Sequence, residues 1–255
     1  MAKAPQTKEP NTMIIDALKR GRTTFKIIGD TPMFYNAMSA KAKRDLLIGG
    51  GKKTAAEKKN IKHDPETEFY NSTYRTPLGP TLLCFPAAGI KKAMGTAALV
   101  TDGIKKTDVA RMIFLPQEKI SVWGKPLLRM DVVRSADMNR TPDVRTRAFL
   151  PRWCATIDIA YITPQLSQYS VASLLLNAGV VAGIGDFRQE KGAGSYGTFH
   201  LFEEDNEADV ALWEELITGE AREAQQEALE HPMAADDDTN DLWTILRQER
   251  LRRAA

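Results

Sequence analysis

Five glycines and two cations are concentrated between residues 183 and 197, in the run Gly-Ile-Gly-Asp-Phe-Arg-Gln-Glu-Lys-Gly-Ala-Gly-Ser-Tyr-Gly. Glycine has no Cβ, so the backbone N–H groups of such a segment can approach a phosphate closely, and the two cations add positive charge. The segment follows a predicted helix and lacks the G-x-x-x-x-G-K-[ST] pattern, so it is neither a dinucleotide fingerprint nor a Walker loop. It predicts a phosphate-binding loop; the alternative is a glycine-rich turn that closes a sheet edge. The candidate binding residues here are Gly183, Gly185, Arg188, Lys191, Gly192, Gly194, Tyr196 and Gly197.

A second candidate anion site is the segment Phe85-Pro-Ala-Ala-Gly-Ile-Lys-Lys-Ala-Met. The apolar run before Pro86 predicts a strand, and the proline at a first helical position predicts a helix from Ala87 to Leu99. Lys91 and Lys92 lie in the first turn and a half of that helix, whose N-terminus attracts anions. The alternative is that these lysines occupy the exposed face of an ordinary amphipathic helix.

Two further segments are rich in cations. Residues 41–62 contain eight Lys and Arg against two acids, with three consecutive glycines and almost no apolar residue after Ile48, which predicts a mobile basic loop with at most a helical turn at 54–59. Residues 134–152 contain five arginines against two acids, and two prolines there disfavour a helix. The candidate nucleic-acid-binding residues in these segments are Lys52, Lys53, Arg140, Arg145 and Arg147.

No set of residues predicts catalysis. The three histidines are His63, His200 and His231, and only His200 is close in sequence to the glycine-rich segment. General acid–base cleavage needs a positioned base with a partner, so His200 is expected to fill a sheet position. The two cysteines lie in apolar strand contexts typical of buried thiols, and no metal-ligand spacing is present. The chain is therefore predicted to be a non-enzyme without metal or cofactor.

The remaining pattern predicts an α+β fold. Apolar alternation and turn residues indicate a bent first strand, a strand–helix pair, a β-rich insertion, a second strand–helix pair and a final strand. Two β-α-β halves in this order are typical of a ferredoxin-like (RRM-like) βαββαβ core. The predicted strands are 22–28 with 32–35, 81–85, 111–115, 120–123, 127–133, 153–162 and 198–202, and the second helix is capped by Ser167 or Ser170 and ends near Ala182.

Charge divides the chain after residue 202. Residues 203–255 contain 16 acids and 5 bases, a net of −11, which leaves 35 − 5 = 30 bases and 33 − 16 = 17 acids before them, a net of +13. The basic body is expected to meet a polyanion, and the tail to be solvated, to mimic that polyanion or to dock a protein partner. The predicted organisation is a flexible N-terminus (1–22), a nucleic-acid-binding domain (23–202, with insertions at 41–75 and 104–152) and an acidic tail of two amphipathic helices (203–255).

The helix start and the glycine-rich segment together resemble a known family. Pro-x-x-x-Ile-Lys-x-Ala at residues 86–93 and the Gly-x-Gly pattern of residues 183–199 are similar to the RAMP superfamily of ferredoxin-like RNA-binding proteins, above all the crRNA-binding backbone subunits of CRISPR effector complexes. Residues 183–188 also resemble uncharacterised bacteriophage proteins. The resemblance covers residues 25–202 in outline, and the acidic tail departs from it. It implies RNA binding near the glycine-rich loop, with insertions that separate or clamp nucleotides.

These observations predict non-catalytic binding of single-stranded nucleic acid, above all RNA, in a basic groove. Tyr74, Phe187 and Tyr196 are candidates for base stacking. The chain would act as a repeating subunit of a guide-RNA ribonucleoprotein or of a nucleic-acid-coating filament. The alternative is a phage structural or assembly protein that forms homo-oligomers through contacts between basic body and acidic tail. The polar first residues and the absence of a long apolar run predict a cytoplasmic protein without membrane contact.

Overall fold

The computed structural model describes residues 17–49, 63–134, 142–191 and 194–254. The strands are β1 (Lys19–Gly29), β2 (Met33–Phe34), β3 (Cys84–Pro86), β4 (Ile113–Phe114), β5 (Lys119–Trp123), β6 (Leu127–Arg134), β7 (Pro142–Leu150), β8 (Cys154–Thr163) and β9 (Phe199–Leu201). The helices are α1 (Ala40–Ile48), α2 (Pro65–Ser72), α3 (Ala87–Ala97), α4 (Lys106–Met112), α5 (Gln168–Val181), α6 (Glu207–Leu216), α7 (Ala221–Glu230) and α8 (Asp237–Ala254). A short 3₁₀ turn spans Gln189–Lys191.

The main sheet has the strand order β3-β5-β8-β1-β9, and β4 also pairs with β8. All of its ladders are antiparallel, and β1 pairs with β8 from Lys19↔Thr163 to Ile28↔Cys154. Helix α3 lies in the chain between β1 and β5, directly after β3, and α5 lies between β8 and β9; the two helices pack against each other. This order and these two crossing helices confirm the ferredoxin-like βαββαβ core.

Alternating burial on β1 and β8 defines the two faces of this sheet. Phe25 and Ile27 of β1 and Ile157 and Ile159 of β8 are buried in one core with the apolar residues of α3 and α5. Side chains in a strand alternate between faces, so the residues between these four lie on the other side of the sheet. Helix α5 begins where predicted, because the Ser167 Oγ accepts the backbone N–H of Ser170 at 3.0 Å.

A second antiparallel sheet of order β2-β7-β6 adjoins the first. Its hairpin pairs β6 with β7 from Leu127↔Phe149 to Arg134↔Pro142. The sequence pattern predicted β6 but no strand at 142–150, where only a helix was disfavoured. The alternation of buried and exposed residues in β7 cannot be recognised from the sequence, because a charged residue, Arg147, has a side chain that is only 3% exposed.

Both predicted insertions contain helices that the sequence analysis missed. The expected basic loop at 41–62 begins with α1, and residues 50–62, which include the turn predicted at 54–59, lie outside the described residues. Helix α2 packs against β7 and buries Phe69 completely, so the end of this insertion is part of the folded body. In the second insertion, the strand expected at 111–115 is shortened to β4 because α4 continues through Met112.

The acidic tail folds into three helices, where two were expected. Residues 217–220 separate α6 from α7, and α8 begins at Asp237. Each helix contacts the body: Trp213 of α6 lies 6.4 Å from the Trp123 ring, and Trp243 of α8 donates to Glu66 at 2.9 Å. Polymerisation through this tail stays a prediction. Within the described part of the chain, no helix is long and apolar enough to cross a membrane.

Candidate nucleic-acid interface

The side of the main sheet opposite α3 and α5, here called the open face, carries a row of cations on β1. Alternation places Arg20, Arg22, Thr24 and Lys26 on this face, because Phe25 and Ile27 face the core. All four side chains of the row are exposed. The three positive charges of Arg20, Arg22 and Lys26 therefore line an accessible strand of the sheet.

The neighbouring strand contributes one acid to this row. Asp158 of β8 accepts hydrogen bonds from Thr24 Oγ1 at 2.5 Å and from Arg22 Nη2 at 2.8 Å. The bond from Thr24 and then that from Arg22 hold the pKa of Asp158 below its ordinary value. Of the three cations, only Arg22 forms an ion pair with a carboxylate within the described part of the chain. The open face thus keeps a positive excess.

Aromatic rings lie at both ends of the row. The Arg20 guanidinium carbon is 4.8 Å from the centre of the Phe114 ring, and the Lys26 Nζ is 4.8 Å from that of Phe202 and 5.3 Å from that of Trp213. Such contacts are weak at exposed sites, so each cation can leave its ring for a phosphate. The freed ring faces are then available to a base, which is the arrangement that single-strand binding needs.

Helix α6 covers one end of the open face. Leu212, Trp213 and Leu216 pack over a small cluster that contains Ile28, Trp123 and Cys154. Burial there raises the pKa of the Cys154 thiol to about 12, so this thiol stays protonated and unreactive. Arg152 and Glu215 form an ion pair at the rim, at 2.5 Å. The accessible part of the face is therefore the stretch from Arg20 to Lys26.

His200 attaches α6 to the sheet. Its Nδ1 lies 2.5 Å from Asp30 and its Nε2 3.0 Å from Asp209, a carboxylate that is itself 6% exposed. Burial opposes the charged ring, but the hydrogen bonds and charges of the two aspartates outweigh it, so the pKa of His200 is raised above 6.5. His200 thus lies in the sheet position that the sequence predicted, and the two aspartates hold its ring there.

This contact predicts a pH dependence of stability. Because the folded-state pKa is raised, the stabilisation is fully present below pH 6.5 and is lost as the pH rises through the raised pKa. His200→Gln is expected to remove that pH dependence while keeping a side chain that hydrogen-bonds. Urea unfolding of both proteins from about pH 5 to pH 9 gives the free energy of unfolding as a function of pH. Parallel curves for the parent and the variant would contradict the assignment to His200.

The glycine-rich segment is held by its own backbone. Ile184 donates to the Gly197 carbonyl at 2.8 Å, and Gly197 donates to the Pro32 carbonyl at 2.8 Å. A Cβ on Gly194 or Gly197 would overlap the carbonyl oxygen of Phe187 or Ile184. These contacts favour the sheet-edge turn as the reason for the glycines. A Cβ on Gly183 or Gly185 would likewise meet backbone atoms, and Gly192 lies outside the described residues.

The structure brings the two sequence motifs together. A cleft of about 80 Å³ between α3 and the glycine-rich segment is lined by Lys92, Gly183, Gly185 and Arg188. Arg188 donates to Glu190 at 2.8 and 2.9 Å, and Glu190 accepts from Thr96 Oγ1 at 2.7 Å. The charge that the sequence assigned to phosphate is therefore already paired here. The backbone of Lys191 lies in the adjoining 3₁₀ turn.

Other predicted cations are engaged elsewhere. Lys91 donates to the Ala110 carbonyl at 3.0 Å. Arg147 forms ion pairs with Asp131 at 2.9 Å and Asp186 at 2.8 Å, so its charge is neutralised inside the protein. Arg145 is exposed, and Lys52, Lys53 and Arg140 lie outside the described residues.

The predicted stacking rings pack within the protein. Tyr196 and Phe187 contact the Phe34 ring at centroid distances of 4.9 and 5.7 Å, and Tyr74 contacts the Phe85 ring at 6.0 Å. These contacts give each ring a structural neighbour, so their role in base stacking stays a prediction. The described residues contain no group of three or more His, Cys, Asp or Glu that could hold a metal ion.

The open face was missed by the sequence analysis. Its signal is the alternation Arg20-x-Arg22-x-Thr24-x-Lys26, with Phe25 and Ile27 between and after the polar positions. A period of two with cations on one side and apolar residues on the other is the pattern of a half-buried strand with a basic exposed face. Phe114 has no such signal, because it joins this surface only through the pairing of β4 with β8.

The chain matches no protein-family model and no curated protein. Among solved structures, a chain of type III-B Cmr-beta bound to cognate target RNA is similar, with 13% identity, a TM-score of 0.37 and coverage of 72% of this chain and 60% of that one. Cmr6 from Pyrococcus furiosus is similar with 9% identity, a TM-score of 0.36 and coverage of 72% of this chain and 99% of its own. This chain thus spans less than two thirds of the first. The fold assignment rests on the strand order and pairing described above.

Proposed function

We propose that this protein binds single-stranded nucleic acid, with RNA as its natural ligand, on the open face of its ferredoxin-like domain. The observation that carries the proposal is the exposed row Arg20, Arg22 and Lys26, which has an aromatic ring at each end. The protein acts without catalysis, as one subunit of a ribonucleoprotein.

Affinity comes from the phosphates and from stacking. Each phosphate that pairs with a cation of the row releases counterions, and this electrostatic gain does not depend on the base sequence. Bases that turn toward the sheet stack on Phe114 and Phe202 as Arg20 and Lys26 move from the rings to the phosphates. The interface therefore holds a strand without reading it. Sequence is then read by a paired strand, as in guide-dependent recognition.

Three considerations support the choice of RNA, the absence of catalysis and the attraction of a polyanion. RNA is favoured over DNA by the resemblance of residues 86–93 and 183–199 to RAMP proteins. The absence of catalysis is supported by His200, because both ring nitrogens face carboxylates that hold the ring in place. The net charge of +13 before residue 203, counted from the sequence, supplies the long-range attraction for a polyanion.

The salt dependence of binding tests the open face. With about four to six phosphate contacts, the log–log slope for a single strand is expected to be about −3 to −4. The triple variant Arg20→Ala, Arg22→Ala, Lys26→Ala removes three charges, so its slope is expected to be shallower by about 2. Fluorescence anisotropy with a labelled oligonucleotide at several salt concentrations measures both slopes, and matched RNA and DNA strands compare the two ligands.

The matched control is Lys105→Ala, Lys106→Ala, Lys125→Ala, which removes three exposed cations outside the row. This variant is expected to change the slope by less than half as much, because its charges contact no bound strand. Equal salt slopes for the two triple variants would show that the open face does not contact the bound strand.

A further inference from the structure

A cleft of about 660 Å³ lies between α2, the first half of β7 and the segment after β2. Its volume falls in the range typical of sites for small organic ligands. Its lining includes the polar residues Asn36, Asn71, Asp143, Arg145 and Thr146 beside apolar ones such as Met38. The cleft is separate from the open face, which is formed by β1 and β8 of the other sheet.

The edge of β7 opens into this cleft. Strand β2 pairs with β7 only at Met33↔Leu150 and Phe34↔Phe149, and the Tyr35 N–H then bonds to the Ala148 carbonyl at 2.9 Å. The Ala148 N–H donates to Ser72 Oγ at 2.8 Å, so both backbone groups of this residue point away from β6. From this residue toward the start of β7, no further strand covers the edge in the described chain.

The backbone groups that point the same way recur every second residue in an antiparallel strand. The N–H and C=O groups of Thr146 and Val144 therefore also point away from β6. Strand β6 shows the same alternation. Met130 pairs with Thr146, and its N–H points away from β7 and donates to Thr239 Oγ1 at 3.2 Å. Two donor–acceptor pairs of β7 are thus directed into the cleft.

The open edge is short and closed at both ends. At one end, the Ala37 N–H bonds to the Ser72 carbonyl at 2.7 Å and joins the two walls. At the other, His63 contacts Glu68 of α2 at 3.1 Å and Asp143 of β7 at 3.3 Å. A bound peptide strand needs a longer run of backbone partners than two residues provide. A flat ring with several hydrogen-bonding atoms on one edge fits this slot better.

We propose that the cleft binds a nucleobase, whose hydrogen-bonding edge pairs with the backbone of Val144 and Thr146. A base carries ring nitrogens and exocyclic groups side by side, which match a strand edge that offers N–H and C=O groups together. Exposed Arg145 on the same strand is placed to contact the attached phosphate. This inference rests on the proposed function, since it makes the ligand one nucleotide of the bound strand; a free nucleotide has the same chemistry.

Filling the cleft tests the inference. Thr67 is an exposed α2 residue that lines the cleft, so Thr67→Trp places a large ring in it, and Thr107→Trp on α4 is the matched control. Thr67→Trp is expected to weaken oligonucleotide binding about tenfold, the loss of two hydrogen bonds, without changing the salt slope. Thr107→Trp is expected to bind like the parent. Thermal melting of both variants verifies that each is folded, and Thr67→Phe replaces Thr67→Trp if that variant is not.

Two ligands distinguish the sources of the base. The full-length protein is titrated with adenosine, cytidine, guanosine and uridine monophosphates, and with an RNA strand carrying one abasic position at each site in turn. A strand base in the cleft predicts that one abasic position weakens binding about tenfold in the parent but not in Thr67→Trp. A free-nucleotide site predicts monophosphate binding that the filled variant loses. Folded Thr67→Trp that binds every strand and monophosphate like the parent overturns the inference. The shallower salt slope of the Arg20, Arg22, Lys26 variant is independent of this outcome.

Discussion

Deletion of residues 203–255 is expected to abolish the cooperative unfolding transition of the domain. Helix α6 covers Ile28, Trp123 and Cys154, which would otherwise be an apolar patch on the sheet. Helix α7 contributes Gln225, whose buried amide accepts from the N–H groups of Leu82 and Leu83 at 2.9 Å. The same amide donates to the Val122 and Gly124 carbonyls at 2.9 and 3.0 Å. Its loss leaves buried backbone groups without partners, each of which costs about 1 to 3 kcal/mol.

Calorimetry and near-ultraviolet circular dichroism of the shortened protein measure this effect. The control is a chain that ends after residue 236, which keeps α6 and α7 and loses only α8. It is expected to melt cooperatively at a lower temperature, because α8 contributes the contacts of Trp243 and Arg250 with α2. A chain ending after residue 202 that melts like the parent would show that the tail is an accessory.

Gly197→Val is expected to destabilise the protein by about 3 kcal/mol or more, the cost of forcing a β-branched residue into a left-handed backbone conformation against neighbouring atoms. Gly197 has φ +70°, and a Cβ there would overlap the Ile184 carbonyl oxygen. The variant must also disturb the N–H that bonds to Pro32 at 2.8 Å. Urea denaturation at pH 7 gives the change in the free energy of unfolding.

Gly219→Val provides the matched control for this substitution. It lies between α6 and α7 with no neighbouring atom in the space that a Cβ would occupy, and its φ is not in the left-handed region. Its effect is expected to stay within about 0.5 kcal/mol, as for other surface substitutions. Similar losses at the two glycines would contradict the close backbone packing described for the glycine-rich segment. Gly194→Val shares the steric problem, so a loss of binding in that variant alone would say nothing about phosphate.

The sequence determines the ferredoxin-like core well because its elements are local patterns. Strand β8 was predicted at 153–162 from alternation and spans Cys154–Thr163, and α5 was predicted from its serine cap and apolar spacing. Strand β7 and helix α2 were not predicted, because their burial depends on partners that are distant in sequence. Ser72 and Phe69, for example, become internal only when α2 reaches β7. A window of neighbouring residues does not contain that information.

The candidate site was less predictable for the same reason. Arg147 and Arg188 are indistinguishable from binding cations until Asp131, Asp186 and Glu190 are placed beside them. The sequence shows that a residue is basic, but only its neighbours in the fold determine whether its charge is available to a phosphate. Conversely, Arg20 and Lys26 become parts of one surface only when β1 forms a strand of the sheet. Both differences arise from tertiary placement rather than from residue type.

The pairing of β1 with strands that follow it much later in the chain has a consequence for biosynthesis. Its Arg22 meets Asp158 only 136 residues later, and its neighbour Asp30 meets His200 170 residues later. At about 5 to 20 residues per second, a ribosome needs on the order of ten seconds to supply these partners. Phe25, Ile27 and Ile28 stay without a sheet during that time, and loop closure over such a distance slows the pairing further. Strand β1 is therefore synthesised well before its pairing partners, and its apolar residues stay exposed until those partners have left the ribosome.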